Sequence, residues 1–362
     1  MKRFPLILTF FSALFSVINT GAQTALTDYR PGITTDGAVY FLPKTAIRVS
    51  VLVEKSVYEP GEFSKYANRY LRMNDVAQEP STTYRVVSIR QTPIALPDTT
   101  KGYSVKFNAR TVAANVALSE DGRLLAINAQ PKEVEVPAEF VAAPKPEKLN
   151  PRQYMNQEIL AAGSTAKMAE LTAHEIYDLR ENRNLLIKGQ ADFMPSDGAQ
   201  MKLMLSQLET QDQALTQLFA GTTVRDTTET ILTVVPDGPL QKLVLFRLSQ
   251  KLGLVDNDDL SGAPFYITID DLNTVPKPVE DQAKGNNKKK QPETGIYVNV
   301  PGRMRSIISY NGKPLHTMEL PAPQFGNVEL LSAELFNKHY TTHLWLNPLT
   351  GAVDKLEAEQ PK

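Results

Sequence analysis

Cysteine is absent from this 362-residue chain. That excludes disulfides, thiolate zinc sites, iron–sulfur clusters, cysteine nucleophiles and lipid attachment through a cysteine. Tryptophan occurs once, at Trp345, so no tryptophan-rich sugar platform exists. Neither sign of charge predominates. Lys and Arg number 39 against 40 Asp and Glu, a formal charge of −1. A nucleic-acid partner would call for a basic excess, so none is expected. Glycine-rich phosphate loops and the Gly-x-Ser-x-Gly elbow are missing, and no internal repeat has a convincing period. What is present is an ordinary globular composition, 42% apolar and 22% charged, over a length that suits two or three domains. Proline (25) outnumbers glycine (19), so many connections should be stiff.

The strongest local signal is at the start. Lys2 and Arg3 form a positive region, and Leu6 to Ile18 is apolar apart from Thr9, Ser12 and Ser16. Thr20 and Ala22 are the small residues of a cleavage site. Residues 1–22 read as a secretory signal peptide, too short for a comfortable membrane span. An uncleaved anchor is the alternative. Cleavage would leave Gln23 as the first mature residue and take the formal charge from −1 to −3. No later stretch approaches the roughly 18 apolar residues of a transmembrane helix. The expected address is therefore the periplasm or an outer-membrane association, where a cysteine-free chain must be held by its core.

Residues 23–130 read as a β-rich domain. Ile47, Val49, Val51 and Val53 alternate with polar neighbours, as do Tyr103, Val105 and Phe107. Tyr84 to Arg90 and Val112 to Leu118 continue the pattern, and Asp121-Gly122 turns the chain into Leu124 to Ile127. One short helix interrupts, with Phe63, Tyr66, Ala67 and Tyr70 at i, i+3, i+4 and i+7. Residues 131–151 carry five prolines among Lys and Glu and read as a semi-rigid linker or edge-hugging connection. Residues 152–221 read as helical. Ser164 can cap a helix running to about Lys188 before Gly189, and a third helix follows Pro195-Ser196-Asp197-Gly198 and closes at Gly221. Its stripe of Met201, Leu205, Leu208, Leu215 and Phe219 is broken by Asp212. Residues 222–362 return to strand. Leu243 to Leu248 is apolar on both faces, as a central strand would be. Asn311-Gly312 is the strongest hairpin signal.

The order of several segments resembles one family. These are Gly163-Ser164-Thr165-Ala166-Lys167-Met168-Ala169, Ile176-Tyr177-Asp178-Leu179-Arg180-Glu181, Pro195-Ser196-Asp197-Gly198, Leu215-Thr216-Gln217-Leu218-Phe219-Ala220-Gly221, Lys251-Leu252-Gly253-Leu254-Val255 and Glu334-Leu335-Phe336-Asn337 with Asn347-Pro348 and Gly351. The chain resembles an exported family of gut Gram-negative bacteria classed as a domain of unknown function. The resemblance spans nearly the whole mature chain. It implies export and a shared architecture, and it carries no activity, cofactor or catalytic residue.

Several constellations have a chemical reading and a plainer one. Ser164-Thr165-Ala166-Lys167 matches the Ser-x-x-Lys of serine acyl-transfer enzymes, in which a desolvated lysine removes the serine proton. The partner motifs Lys-Thr-Gly and Ser-Asp-Asn are absent, and the plainer reading is a helix cap beside a solvated lysine. Asp256, Asp258 and Asp259 resemble the opening of a calcium loop, but Leu260 and Ile267 stand where an EF-hand needs oxygen ligands. His339 and His343 have zinc-helix spacing, yet on a strand they would lie about 13 Å apart. Lys288, Lys289 and Lys290 sit in a polar run that reads as a solvated loop or a contact for anionic glycans or lipid headgroups. Tyr58, Phe63, Tyr66 and Tyr70 read as a helix docked on a sheet rather than a sugar platform.

The expected fold is α+β, with two β-rich, mostly antiparallel regions flanking a central helical hairpin. The expected role is binding or scaffolding at the envelope, with envelope proteins or glycans as partners and no cofactor implied. The alternative is a periplasmic hydrolase, acting through Ser164 and Lys167 or through two carboxylates that sequence spacing does not reveal.

Overall fold

The computed structural model describes residues 33–34, 37–106, 115–133, 137–145, 148–276, 295–336 and 341–359. The leader over 1–22, the strand residues from Phe107 to Ala114, the lysine run at 288–290 and His339 lie outside the described residues. The α+β class holds: three antiparallel sheets account for about half of the described residues, with few helices.

β1 (Ile33–Thr34) folds back on β2 (Gly37–Glu59). A 3-10 turn and α1 (Ala67–Leu71) lead into β3 (Ser81–Lys106), and β4 (Val116–Leu118) and β5 (Leu124–Ile127) follow. The helical segment holds α2 (Gln157–Leu160), α3 (Thr165–Lys188) and α4 (Gly198–Ala220). The remainder is strand: β6 (Thr222–Val234), β7 (Leu240–Ser249), β8 (Gly253–Val255), β9 (Ala263–Asp271), β10 (Gly295–Tyr310), β11 (Lys313–Ser332), β12 (Thr341–Leu346) and β13 (Val353–Glu359).

The first sheet has β2 between β3 and β6, with β1 on its start. The second runs β11-β10-β9-β7-β8 and the third β13-β12-β5-β4. Ile47, Val49, Val51 and Val53 of β2 meet Phe265, Ile267, Ile269, Met304 and Ile308 in one core. Tyr40 and Leu42 of the same strand meet Ile296, Val298, Leu124, Ile127, Leu344 and Leu346 in another. A strand as long as β2 follows a path of about 75 Å at about 3.3 Å per residue, enough to serve both. β10 does the same from the opposite side.

The strand pairing differs from the expected arrangement of two β-rich regions on either side of the helices. β6, which follows the helical segment, pairs with β2 from Glu59↔Thr222 to Ile47↔Val234. β12 pairs with β5. Two of the three sheets thus combine strands from both ends of the chain. Alternation reveals which face of a strand is buried but not its neighbour in the sheet. β7 also differs from the central strand expected at Leu243 to Leu248. Its outer neighbour is the three-residue β8, and Leu243 is 50% exposed.

The proline-rich connection is tethered along its course. Gln130 accepts from the Trp345 indole at 3.1 Å, and Lys132 pairs with Asp354 at 2.6 Å. Lys145 then pairs with Asp226 at 3.0 Å, and Gln217 donates to the Leu149 carbonyl. The described residues of this strap are largely exposed and are tied to the third sheet near one end and to the helical segment near the other.

Each long helix starts where a side-chain cap is available. Ser164 Oγ accepts from the Lys167 backbone N–H, and an Asp197 carboxylate oxygen from that of Gln200. α3 ends on left-handed Gly189, with Gly189 N–H bonded to Leu186 and Gln190 N–H to Leu185, the paired bonds of a Schellman end. Ala169, Ala173, Ile176 and Leu179 of α3 and Leu215, Leu218 and Phe219 of α4 form a third core with Phe63, Ala67 and Ile159. Asp212, the polar break in the α4 stripe, is satisfied across the helix pair by Arg180 at 3.0 Å and within its own helix by the Thr216 hydroxyl.

Two buried polar residues tie the sheets together. Asn299 of β10 is 2% exposed, and its Nδ2 donates to the Pro43 carbonyl of β2 and to the Thr350 carbonyl in the β12–β13 turn. The Tyr40 hydroxyl donates to the Tyr297 carbonyl and accepts from the Tyr297 N–H. Burial pushes that hydroxyl's pKa well above the usual tyrosine value of about 10. The folded state therefore keeps a proton that the unfolded chain gives up. Stability from this group is complete below about pH 10 and falls as pH rises further. Denaturant midpoints should drop steeply above pH 10, and Tyr40→Phe should make that alkaline limb shallower by one proton.

Candidate functional site

A cleft of about 740 Å³ opens between the edge of the first sheet and the second. Its near wall is the start of β3, from Tyr84 to Ile89. The far wall is the β7–β8 turn, the start of β9 and the β10–β11 hairpin. Tyr84 N–H donates to the Gln250 carbonyl at 2.9 Å and closes one end. The turn is built on Ser249, whose hydroxyl accepts from the Lys251 and Leu252 N–H groups. Gly253 at φ +84 lets the Tyr84 ring lie against the backbone, since a Cβ there would sit 3.1 Å from the ring.

The aromatic wall is a stack. Phe246, Phe265 and Tyr310 follow one another with ring centroids 4.4 Å apart at each step, and the last two line the cleft. Asn311 and Gly312, both at positive φ, make the tight turn that carries Tyr310, Leu315 and His316 to the mouth. The bulge between Leu52 and Val53 leaves Val87 without an opposite residue on β2, and its side chain is half-exposed. Behind His316 runs a polar chain into the core. Ser306 donates to Gln91 Oε1, and the Gln91 amide nitrogen lies 2.9 Å from His316 Nδ1. With Ser306 donating, the amide donates in turn to Nδ1, which selects the tautomer with its proton on Nε2.

Among the described residues, those lining this cleft include Arg85, Lys251 and His316 and no carboxylate. Arg85 also pairs with Glu54 at 2.7 Å, and its guanidinium holds that carboxyl below the usual carboxylate range. The cleft therefore offers a flat apolar surface, hydroxyl and amide partners, and net positive charge. These groups suit stacking and ion pairing. The two facing carboxylates of glycan cleavage do not line it. A larger space of about 930 Å³ under the strap is lined by Lys145, Lys148 and Arg225 but has no aromatic wall.

The residues singled out from sequence lie elsewhere. Ser164 caps α3, and the Lys167 ammonium pairs with Glu170 at 2.9 Å in an exposed position. That partner raises the lysine's pKa, the opposite of what a proton acceptor needs. Asp259 accepts from the Ser261 N–H at 2.8 Å, a bond that holds its carboxyl below the usual range. Asp256 and Asp258 are exposed in the same loop. Two carbonyls of that loop, Asn257 and Gly262, accept from the Arg247 guanidinium at 2.7 and 3.0 Å. Among the described residues no group of acidic or histidine side chains could hold a metal ion. His343 contacts the Asn128 carbonyl and stacks beside Trp345. Phe63 is fully buried against Phe219, while Tyr66 and Tyr70 pack at the edge of the same core. Nothing in the sequence marks Tyr84, Lys251, Tyr310 and His316 as neighbours.

The chain belongs to the family described as Domain of unknown function (DUF4831), whose model matches residues 36–354. No curated protein and no solved structure matches it. Among the described residues no helix is long and apolar enough to cross a membrane.

Proposed function

We propose that this is an exported envelope protein that binds rather than cleaves, and that the cleft between the first two sheets takes an anionic glycan. The leader over residues 1–22 supports export to the periplasm or outer membrane. The single observation that carries the binding reading is the cleft's composition. Tyr310, the end ring of an aromatic stack, lines the space together with Lys251, Arg85 and the His316 imidazole, and among the described residues no acidic side chain lines it. Sugar rings stack on aromatic faces, and cations select acidic sugars.

Two measurements test this. Intact-mass analysis of protein recovered from the envelope fraction should give a chain that starts at Gln23. A full-length chain in the cytosol would overturn the export reading. Calorimetry against acidic and neutral oligosaccharides should show binding of the acidic set alone. Lys251→Glu alters an exposed side chain and should weaken that binding about tenfold, in line with the loss of a charged partner at about 1.5 kcal/mol. Equal affinity for neutral and acidic chains would overturn the assignment.

A further inference from the structure

We propose that the outer edge of β13 is the self-association surface of this protein, joining the third sheet to that of a second copy across a two-fold axis at Leu356. Every residue of β13 is exposed, and among the described residues it pairs with β12 alone. A long unpaired edge is normally blunted by proline or by charge. The outer edge of β3 shows this, with Arg90, Pro93, Pro97 and Lys101 along it. β13 has no proline, and its charges, Asp354, Lys355, Glu357 and Glu359, are of both signs and flank Leu356, which is 42% exposed in its middle.

The charges select the partner and the register. A two-fold axis normal to a continuous sheet keeps each residue on its own face, so the axis must pass through a residue. Centring it on Asp354, Lys355 or Glu357 sets like charges opposite each other. Centring it on Ala358 sets Glu357 opposite Glu359. Leu356 is the centre that sets Lys355 of each copy against Glu357 of the other and leucine against leucine. Lys355 and Glu357 already face each other at 2.5 Å within one strand. Two copies would close a ring of four alternating charges beside Trp345, over which Lys355 lies at 5.0 Å. Cross-strand pairs of opposite charge and of apolar side chains are the favourable ones in antiparallel sheets. The bulge at Asp354 falls outside this central triplet.

The chain's lack of cysteine makes the test clean. Residues directly opposite across an antiparallel pair have Cα atoms about 4.5–5.5 Å apart, within disulfide range. Under mild oxidation Leu356→Cys should form a covalent dimer. Val353→Cys should not, because its counterpart would lie about 20 Å away. Light scattering of the native protein should show a dimer. Lys355→Glu should weaken it about tenfold by placing two like-charged pairs in register. The double variant Lys355→Glu/Glu357→Lys should restore it. These side chains are exposed, so folding is not at stake. A native protein that stays monomeric at its highest soluble concentration overturns the proposal. So does cross-linking that is as fast at residue 353 as at 356, or a dimer indifferent to Lys355→Glu.

Discussion

Asn299→Ala is expected to destabilise the protein by about 3 kcal/mol, although it removes only a small polar side chain from a β-rich interior. The reason is where its amide points. Nδ2 donates to Pro43 and Thr350, and the Asn299 backbone N–H donates to Gly351. The first sheet, the second and the turn of the third converge on this one side chain. Alanine would leave two buried carbonyls without a donor, at about 1–3 kcal/mol each, while relieving the buried Asn299 Oδ1, which has no partner. Urea titration followed by tryptophan fluorescence is a suitable measurement, since Trp345 lies on β12, just before that turn. Asn299→Asp should be no rescue, because a carboxylate offers no donor to either carbonyl. A loss below about 1 kcal/mol would mean that the Asn299 amide contributes little to holding the sheets together.

Gly221→Ala should be at least as severe, about 3 kcal/mol or more, through the backbone rather than the core. Gly221 joins α4 to β6 at φ +77 and ψ −176, a conformation open essentially to glycine. A Cβ there would also stand 2.5 Å from the Glu59 carbonyl and 2.7 Å from the Tyr58 ring. The clash falls where β2 leaves the sheet, close to Phe63 N–H, which donates to the Leu218 carbonyl at 2.7 Å. Helix and sheet meet at this point, so the strain should loosen the helices first. Protease nicking between α3 and α4 should appear before the sheet signal in circular dichroism is lost. Gly189→Ala is the control. It carries a positive φ but meets no atom within 4 Å, so it should cost only about 1 kcal/mol.

Much of the local structure is legible in the sequence because its causes are local. Ser164 and Gly189 mark the ends of α3 because an N-terminal oxygen and a left-handed residue meet needs that arise within one turn. Asn311-Gly312 marks its hairpin for the same reason. β-strand alternation at Ile47 to Val53 shows a buried face. It does not show that β6 would lie beside it, because that partner stands across the whole helical segment. Asp212 reads as a defect in an apolar stripe until Arg180 of the neighbouring helix meets it.

Residue order alone determined the α+β class, the ends of the long helices and the tight turns, each set by neighbours a few positions away. Only the tertiary structure decided which strands share a sheet, that β2 and β10 serve two cores at once, and that Tyr84, Lys251, Tyr310 and His316 face one cleft. Sheet pairing and cleft formation join residues more than a hundred positions apart. Such contacts depend on matching faces over the folded whole and leave no periodic trace in the chain.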